Sequence, residues 1–462
     1  MAVIGAGMTG SMIAIYLARQ GFEVSVYELR DDLRKGGVKP SRSLNMTLSP
    51  RGLGLLKETE SVDAVMPYCV KVRGRIVHHL NEEPTFHPYG RNEDQILHAI
   101  RRNDLNGALL TRAESFPQIK LFFRKKLIKM DLDQRVCFLK DMDSGTEFSV
   151  KADFIVGADG SFSTVRKTIH KGCRADYQQE YLDWDYKELT IPAAADGSYA
   201  LKPHALHVWP RRDCMIMSLP NPDGSFNCIC SMPATGDPSF AQLKSAEQVQ
   251  TMFAERFPDA LALMPTLIDD FLNHPTSTFV TTRTSPWYDS DRVVLVGDAC
   301  HTVVPFYGQG MIAGFEDCSI LNRCIEGSRD DLEAAFRSYQ AIRKPNTEAL
   351  ADLSISNFVE LRDKILDPRT TLRKRRDDLL GRLFPGRWIP LYTLIAHSRT
   401  PYAEAIERCK KQERIARWLG LDLVLVVCAG LTSLYRALKR RRTSSRPTST
   451  GRLASPQTKH LF

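Results

Sequence analysis

Residues 1–30, MAVIGAGMTGSMIAIYLARQGFEVSVYELR, decide the fold. A short run, Ala2–Ile4, leads into Gly5-Ala-Gly7-Met-Thr-Gly10, a G-x-G-x-x-G pattern. Apolar Met12, Ile13, Ile15, Tyr16 and Leu17 then predict a helix, and FEVSVYE predicts an alternating strand ending on Glu28. Each glycine has its own reason: Gly5 permits a tight turn, Gly7 lets backbone approach a pyrophosphate, and Gly10 lets helix pack on strand. The helix start offers N–H groups and a positive dipole end to phosphates, and Glu28 can accept from ribose hydroxyls. Strand, helix and acid at this spacing predict a dinucleotide-binding unit, though the motif alone serves NAD and FAD equally. The apolar stretch, interrupted by spaced glycines, reads as part of a fold rather than a cleaved signal.

Two later segments extend the pattern. DFIVGADGSFSTVR (153–166) reads as a buried strand, a turn and a helix. RVVLVGDACHTVVPFYGQGMIAGFED (292–317) reads as a strand, then Asp298, then a glycine-rich loop opening a helix. Either alone is an ordinary strand-to-helix turn. Asp298 can hold a ribityl hydroxyl, and the Gly308-Gln-Gly310-Met loop can present N–H groups to a flavin ring. No second G-x-G-x-x-G follows for a nicotinamide nucleotide.

The chain has 462 residues, 43% hydrophobic and 25% charged, which excludes a disordered or fibrous protein. Eleven cysteines without a C-x-x-C pair exclude a disulfide scaffold and a zinc finger, and no metal is expected. The net charge of +9 is uneven: residues 410–462 hold twelve Lys/Arg against Glu413 and Asp422, so the rest is close to neutral. That distribution excludes a nucleic-acid-binding surface and makes the basic charge a property of the tail.

The three segments, in this order, resemble the FAD-dependent aromatic hydroxylases. Further stretches are similar to the kynurenine 3-monooxygenase family: SRSLNMTLSPRGLGLL (41–56), VRGRIVH (72–78), PYG (88–90), RRNDLN (101–106), LHVWPRR (206–212), VPFYGQGM (304–311), DLSISNFVELR (352–362) and WIPLYT (388–393). The resemblance runs from residue 1 to about 410. It implies bound FAD, with NADPH and O2 as co-substrates and L-kynurenine hydroxylated to 3-hydroxy-L-kynurenine in tryptophan degradation. Position by position it implies FAD contacts at Gly5, Gly7, Thr9, Gly10, Tyr27, Glu28, Leu29, Arg30, Thr47, Arg102, Leu127 and Thr164, then Asp298, Gly310, Met311 and Ile312. It implies that Arg75, Tyr89, Asn357 and Tyr392 hold the amino-acid end of the substrate. No side chain is expected to act as nucleophile or acid–base catalyst, because the cofactor carries the oxygen chemistry.

On their own chemistry these four residues have plainer readings. Arg75, with Arg73, also fits a solvated strand face, Tyr89 a turn tyrosine, Asn357 a helix-surface amide, and Tyr392 core packing after Pro390. His301 near Asp298 has the look of a dyad but is read as packing, and Trp209 and Pro210 as core of a sheet. Three positions depart from the family: Ile312 stands where Asn is usual, Ser231 where an aromatic is usual, and Cys300 where Ala is usual. Ile312 and Ser231 support one alternative, a hydroxylase of another aromatic substrate; a second, a non-catalytic, membrane-tethered flavoprotein, is opposed by retention of Arg75, Tyr89, Asn357 and Tyr392.

The expected fold is α/β: a Rossmann-like FAD-binding domain with an inserted antiparallel-sheet substrate domain and a helical C-terminal region. The FAD domain takes 1–70, 95–180 and 285–330, the substrate domain 71–94 and 181–284, and the helical region 331–410. Within the last, LRKRRDD (372–378) reads as a solvated turn. Residues 411–442 read as a membrane-anchor helix: Trp418–Tyr435 carries one charge, and Arg436 and Lys439–Arg442 follow as a basic cluster. A C-terminal amphipathic helix packed on its own domain is the competing reading. Residues 443–462 are Ser/Thr/Pro-rich and read as disordered. By the resemblance, the location would be the mitochondrial outer membrane, with the catalytic part facing the cytosol.

Overall fold

The computed structural model describes residues 1–36, 44–90, 92–364 and 367–420. Ala2–Ile4 forms the strand that the sequence predicts, and it sits near the middle of a six-stranded sheet. In spatial order the strands are Tyr288–Asp289, Val293–Leu295, Ile155–Gly157, Ala2–Ile4, Val24–Tyr27 and Ile119–Phe122. All neighbours are parallel except the first two. Parallel strands buried on both faces read as continuous β-branched runs, as AVI, IVG and VVL do here. The helix Met8–Arg19 follows the first strand, and Gly10 through Ala18 are all buried in the largest hydrophobic core. It is apolar on every side because it packs against further helices as well as the sheet: Ile13, Leu105, Leu109 and Leu321 share one core.

The second large sheet has seven strands in the order Ser277–Ser285, Asp176–Ile191, Phe226–Pro233, Cys214–Pro220, Ala205–Arg211, Gly74–Val77 and Thr85–Pro88. It is antiparallel except where Ala205–Arg211 meets Gly74–Val77. Strand alternation gives it two apolar faces. Trp209, Ile216, Cys230 and Met232 pack with Val249, Phe253 and Phe271 of the covering helices. Val208, Met215, Trp184 and Phe279 point the other way and meet Val304 and Phe306 of the glycine-rich loop and Phe358. The second face therefore delivers the sheet to the loop. Trp209 is fully buried, as expected, with its indole N–H donated to Asp259 at 2.7 Å.

Two three-stranded sheets complete the strands. One is Asn45–Leu48, Leu97–Arg101 and Val70–Val72, and the other is the meander Lys125–Asp131, Val136–Asp141, Glu147–Lys151. The strand Asp176–Ile191 begins inside the range expected for the FAD domain and is shared between the two expected domains.

The chain divides into two compact units. The first comprises Met1–Asp367 and Pro390–Arg408 and holds every sheet of the described residues. It ends in the long helix Leu332–Val359, a π-helical turn at Glu360–Lys364 and the short helix Leu391–His397. The second takes Pro368–Ile389 and, among the described residues, 409–420, so the helical stretch expected over 331–410 is not one block. In the second unit LRKRRDD is not a solvated turn: it lies in the helix Pro368–Leu383. Arg376 there is 2% exposed and paired with its neighbour Asp377 and with the distant Glu413, which turns one of the run's charges inward.

Among the described residues no helix is long and apolar enough to cross a membrane. The apolar run Leu423–Leu434, its basic cluster and the tail 443–462 lie outside the described residues.

Candidate active site

The glycine turn is built as its spacing requires. Gly5 has φ +102, and a Cβ there would meet the Ala158 carbonyl oxygen at 2.4 Å. A Cβ on Gly10 would come within 1.9 Å of the Gly5 carbonyl oxygen. A Cβ on Gly7 would meet no protein atom within 4 Å, which leaves its backbone open to a phosphate. The helix that starts at Met8 has no side-chain cap, so its first N–H groups are not committed to a side chain. Glu28 accepts from the Ala6 N–H at 2.8 Å and the Arg30 N–H at 2.9 Å, which holds the carboxylate against the turn. A carboxylate has about four acceptor positions, so it can still take ribose hydroxyls. Asn106, which sequence reasoning did not single out, donates to the Ala6 carbonyl oxygen at 3.2 Å and braces the same turn.

The later segments close on this turn. A Cβ on Gly297 or Gly314 would lie 2.9 or 2.7 Å from the Thr9 hydroxyl, so two glycines admit Thr9 between the Asp298 turn and the helix Gly310–Gly327. Asp298 is exposed to solvent though protein surrounds its other sides. That enclosure pushes its carboxyl up, and Arg102 pulls it back. Gly308 is left-handed (φ +68), and a Cβ on it would sit 2.9 Å from the Thr47 hydroxyl. The helix Gly310–Gly327 also lacks a side-chain cap, so the Met311 and Ile312 end can donate N–H groups.

Other predicted positions face away. The Tyr27 ring stacks on Phe122 at 5.1 Å, and its carbonyl oxygen accepts from the Gly5 N–H at 2.8 Å. Leu127 and Ile312 are buried in the main core. A cofactor contact at these three would therefore be a main-chain one, and the Ile312 side chain belongs to the core. Leu29 and Arg30 are exposed at the strand end. Thr164 opens the helix Thr164–Lys171, its N–H bonded to Asp159 at 2.7 Å. Together the open Gly7 backbone, two uncapped helix starts and the acid at the strand end suit a flavin dinucleotide.

The four proposed substrate residues lie in one region. Arg75 is on the strand Gly74–Val77. Tyr89 and Tyr392 stack at 5.3 Å, and Tyr307 of the loop lies 5.9 Å from Tyr392. Burial pushes the Tyr89 phenol up to about 12, and Arg75 pulls it down. Burial also holds the Tyr392 phenol well above its ordinary value, and Arg75 again opposes the shift. Both tyrosines thus remain hydrogen-bond donors beside a cation. Asn357 donates to the Phe306 carbonyl oxygen at 2.7 Å, tying the long helix to the loop. Arg73 is not part of this group; it pairs with Glu93 at the surface.

His301 does not pair with Asp298. Its Nε2 bonds Asp317 at 2.5 Å, and its ring packs 5.3 Å from Trp287. Asp317, Glu316, Arg343 and Arg51 form a buried charged cluster that sequence reasoning missed, although Glu316 and Asp317 lie within the quoted segment. Ser231 is fully buried on the sheet, between cross-strand neighbours Tyr186 and Met215.

Residues 1–354 match the family model of the FAD binding domain. The kynurenine 3-monooxygenase of Salinispora tropica is 44% identical over 96% of this chain and 98% of its own. That of Dictyostelium discoideum is 38% identical over 87% and 89%. The chain belongs to the kynurenine 3-monooxygenase family. Among solved structures, 2-methyl-3-hydroxypyridine-5-carboxylic acid oxygenase has a TM-score of 0.64 at 20% identity, over 79% of this chain and 93% of that one. PqsL of Pseudomonas aeruginosa gives 0.64 at 20% identity over 78% and 96%. At that identity they show the shared fold, a flavin monooxygenase fold, and family membership supplies FAD as the cofactor.

Proposed function

We propose that this chain is an NADPH- and O2-dependent monooxygenase that converts L-kynurenine to 3-hydroxy-L-kynurenine. The observation that carries the reading is the gathering of Arg75, Tyr89, Tyr392 and Asn357 around the glycine-rich loop. Arg75 presents a planar fork suited to a carboxylate. Tyr89 and Tyr392, protonated through the working pH range, donate to the same group. Asn357 commits a donor to Phe306, and its amide oxygen can accept from the substrate ammonium. The aryl end then falls toward the apolar face formed by Val208, Met215, Phe306 and Phe358, which excludes water. FAD, when bound, supplies acceptance of the two electrons of NADPH and activation of O2. One oxygen atom enters the ring carbon ortho to the aniline nitrogen, and the other leaves as water.

NADPH oxidation by the FAD-loaded protein, with and without L-kynurenine, tests this when 3-hydroxykynurenine is followed by mass. Stimulated oxidation with matching product is the expected result. No stimulation in a flavin-replete sample would refute it.

We further propose that the C-terminal segment anchors the chain to the mitochondrial outer membrane, by spanning it or lying in its interface, with the catalytic unit toward the cytosol. The apolar run Leu423–Leu434 and the basic cluster after it support this from sequence alone. A chain ending at residue 420 should lose membrane association in fractionation and keep kynurenine turnover; retained association would refute the tail's role.

A further inference from the structure

The buried charged cluster contains a residue that the chemistry above does not use. Arg51 lies in the first turn of the helix Pro50–Glu58, and its side chain is wholly inaccessible. A buried guanidinium must find partners for five N–H groups. Its Nε donates to the Ser398 carbonyl oxygen at 2.6 Å, and one terminal nitrogen donates to the carbonyl oxygens of Thr400 and, at 3.4 Å, Leu394. The other terminal nitrogen sits 3.1 Å from Glu316, an ion pair rather than an aligned hydrogen bond. The guanidinium carbon lies 4.2 Å over the Tyr402 ring.

These carbonyls close the helix Leu391–His397, the one that carries Tyr392. Seven residues are too few for a helix to hold itself in water, so its placement comes from tertiary anchors. Unpaired carbonyls and negative dipole at a helix C-terminus are what a guanidinium satisfies. On its other side, Glu316 is shared with Arg343 at 2.9 Å, and Arg343 also takes Asp317 at 2.7 Å and the Ala313 carbonyl oxygen at 3.0 Å. Two arginines and two carboxylates thus balance in charge. Arg343 belongs to the helix that bears Asn357, and Glu316 to the helix that opens at Gly310.

We infer that Arg51 is a positioning residue for the substrate: it clamps the Tyr392 helix to the helix that begins at the flavin-facing loop, fixing the distance between the amino-acid grip and the reacting ring. The inference rests on the kynurenine reading and names a residue that touches neither substrate nor cofactor.

The test is a double-mutant cycle on the FAD-loaded protein, with L-kynurenine affinity measured by calorimetry for the wild type, Arg51→Met, Tyr392→Phe and the pair. Loss of a hydrogen bond of this kind corresponds to about a 3–10-fold weaker Kd for each single variant. Because Arg51 acts through Tyr392, the pair should bind no more weakly than the worse single variant. Multiplying effects, or an unchanged Kd for Arg51→Met, would overturn the inference. If Arg51→Met does not retain FAD, Arg51→Lys keeps the charge and loses the fork, and the same cycle is read with it. A wild type that retains FAD and does not bind kynurenine would remove the substrate reading, and this inference with it. Binding by the wild type with an additive cycle would remove this inference alone.

Discussion

Asp317 offers the sharpest test of how the site is held. Its carboxylate is fully buried and receives three donors: Arg343 Nε at 2.7 Å on one oxygen, and His301 Nε2 at 2.5 Å with the Gly297 N–H at 2.9 Å on the other. The last bond fixes the turn that presents Asp298. Asparagine has nearly the same shape but one acceptor oxygen and an NH2 group. Whichever way the amide sits, at least one of the three donors faces a donor. Removing one partner from a buried ion pair costs about 3–5 kcal/mol. For a chain of 462 residues, with an unfolding entropy of about 2.1 cal/mol/K per residue, that corresponds to a Tm lower by roughly 3–5 °C. The assay is thermal unfolding of Asp317→Asn beside Asp133→Asn, whose exposed carboxylate pairs with Arg292 at the surface and whose loss should cost under about 1 kcal/mol. Burial alone would raise the Asp317 carboxyl, but His301 and Arg343 hold it below the ordinary value. A depressed folded pKa means that its stabilisation is present above the unfolded value, about 3.9, and is lost as pH falls through the lower folded value. The wild-type advantage over Asp317→Asn should therefore shrink as the pH falls below about 4. Equal melting of the two variants at pH 7 would refute the argument.

Gly10→Ala places a methyl 1.9 Å from the Gly5 carbonyl oxygen, so the turn must open; the expected result is protein that purifies without bound FAD, read from its visible spectrum. Arg75→Ala removes a charge-assisted partner of the substrate carboxylate, about 1.5–3 kcal/mol, so KM for kynurenine should rise roughly 10–150-fold with a much smaller change in kcat. Tyr89→Phe removes one neutral donor and should raise KM only about 2–10-fold. Among the described cysteines, Cys173 is exposed whereas Cys230, Cys300 and Cys318 are buried with thiols pushed well up by burial, so a thiol reagent should label Cys173 first and the other three only on unfolding.

The glycine motif was legible because it is local: turn, uncapped helix start and strand-end acid lie within residues 5–28. Tyr89, Asn357 and Tyr392 are another matter. No periodicity joins them, and only the family resemblance brought them together before the stacking at 5.3 Å and the bond to Phe306 did. Arg51 carried no local signal at all. It sits in SPRGLG as an arginine after a proline, and its burial is decided by Glu316 and by carbonyls some 350 residues away. Charge in sequence argues for the surface, and only tertiary pairing reverses it, as it does again at Arg376. The pairing of His301 with Asp317 rather than Asp298 has the same origin: sequence proximity favours the acid three residues back, while the fold supplies one sixteen residues ahead.

The order of strands in the six-stranded sheet also sets a clock. Ala2–Ile4 is synthesised before Ile155–Gly157, its neighbour, which is itself flanked by the still later Val293–Leu295. At synthesis rates of about 5–20 residues per second, on the order of 15–60 s pass between the first strand and the last. Over that interval the nascent chain carries an open parallel edge and an unfinished nucleotide turn. The turn around Thr9 is complete only when Gly297 and Gly314 have followed, so chains ending short of Val293 have no complete cradle for FAD.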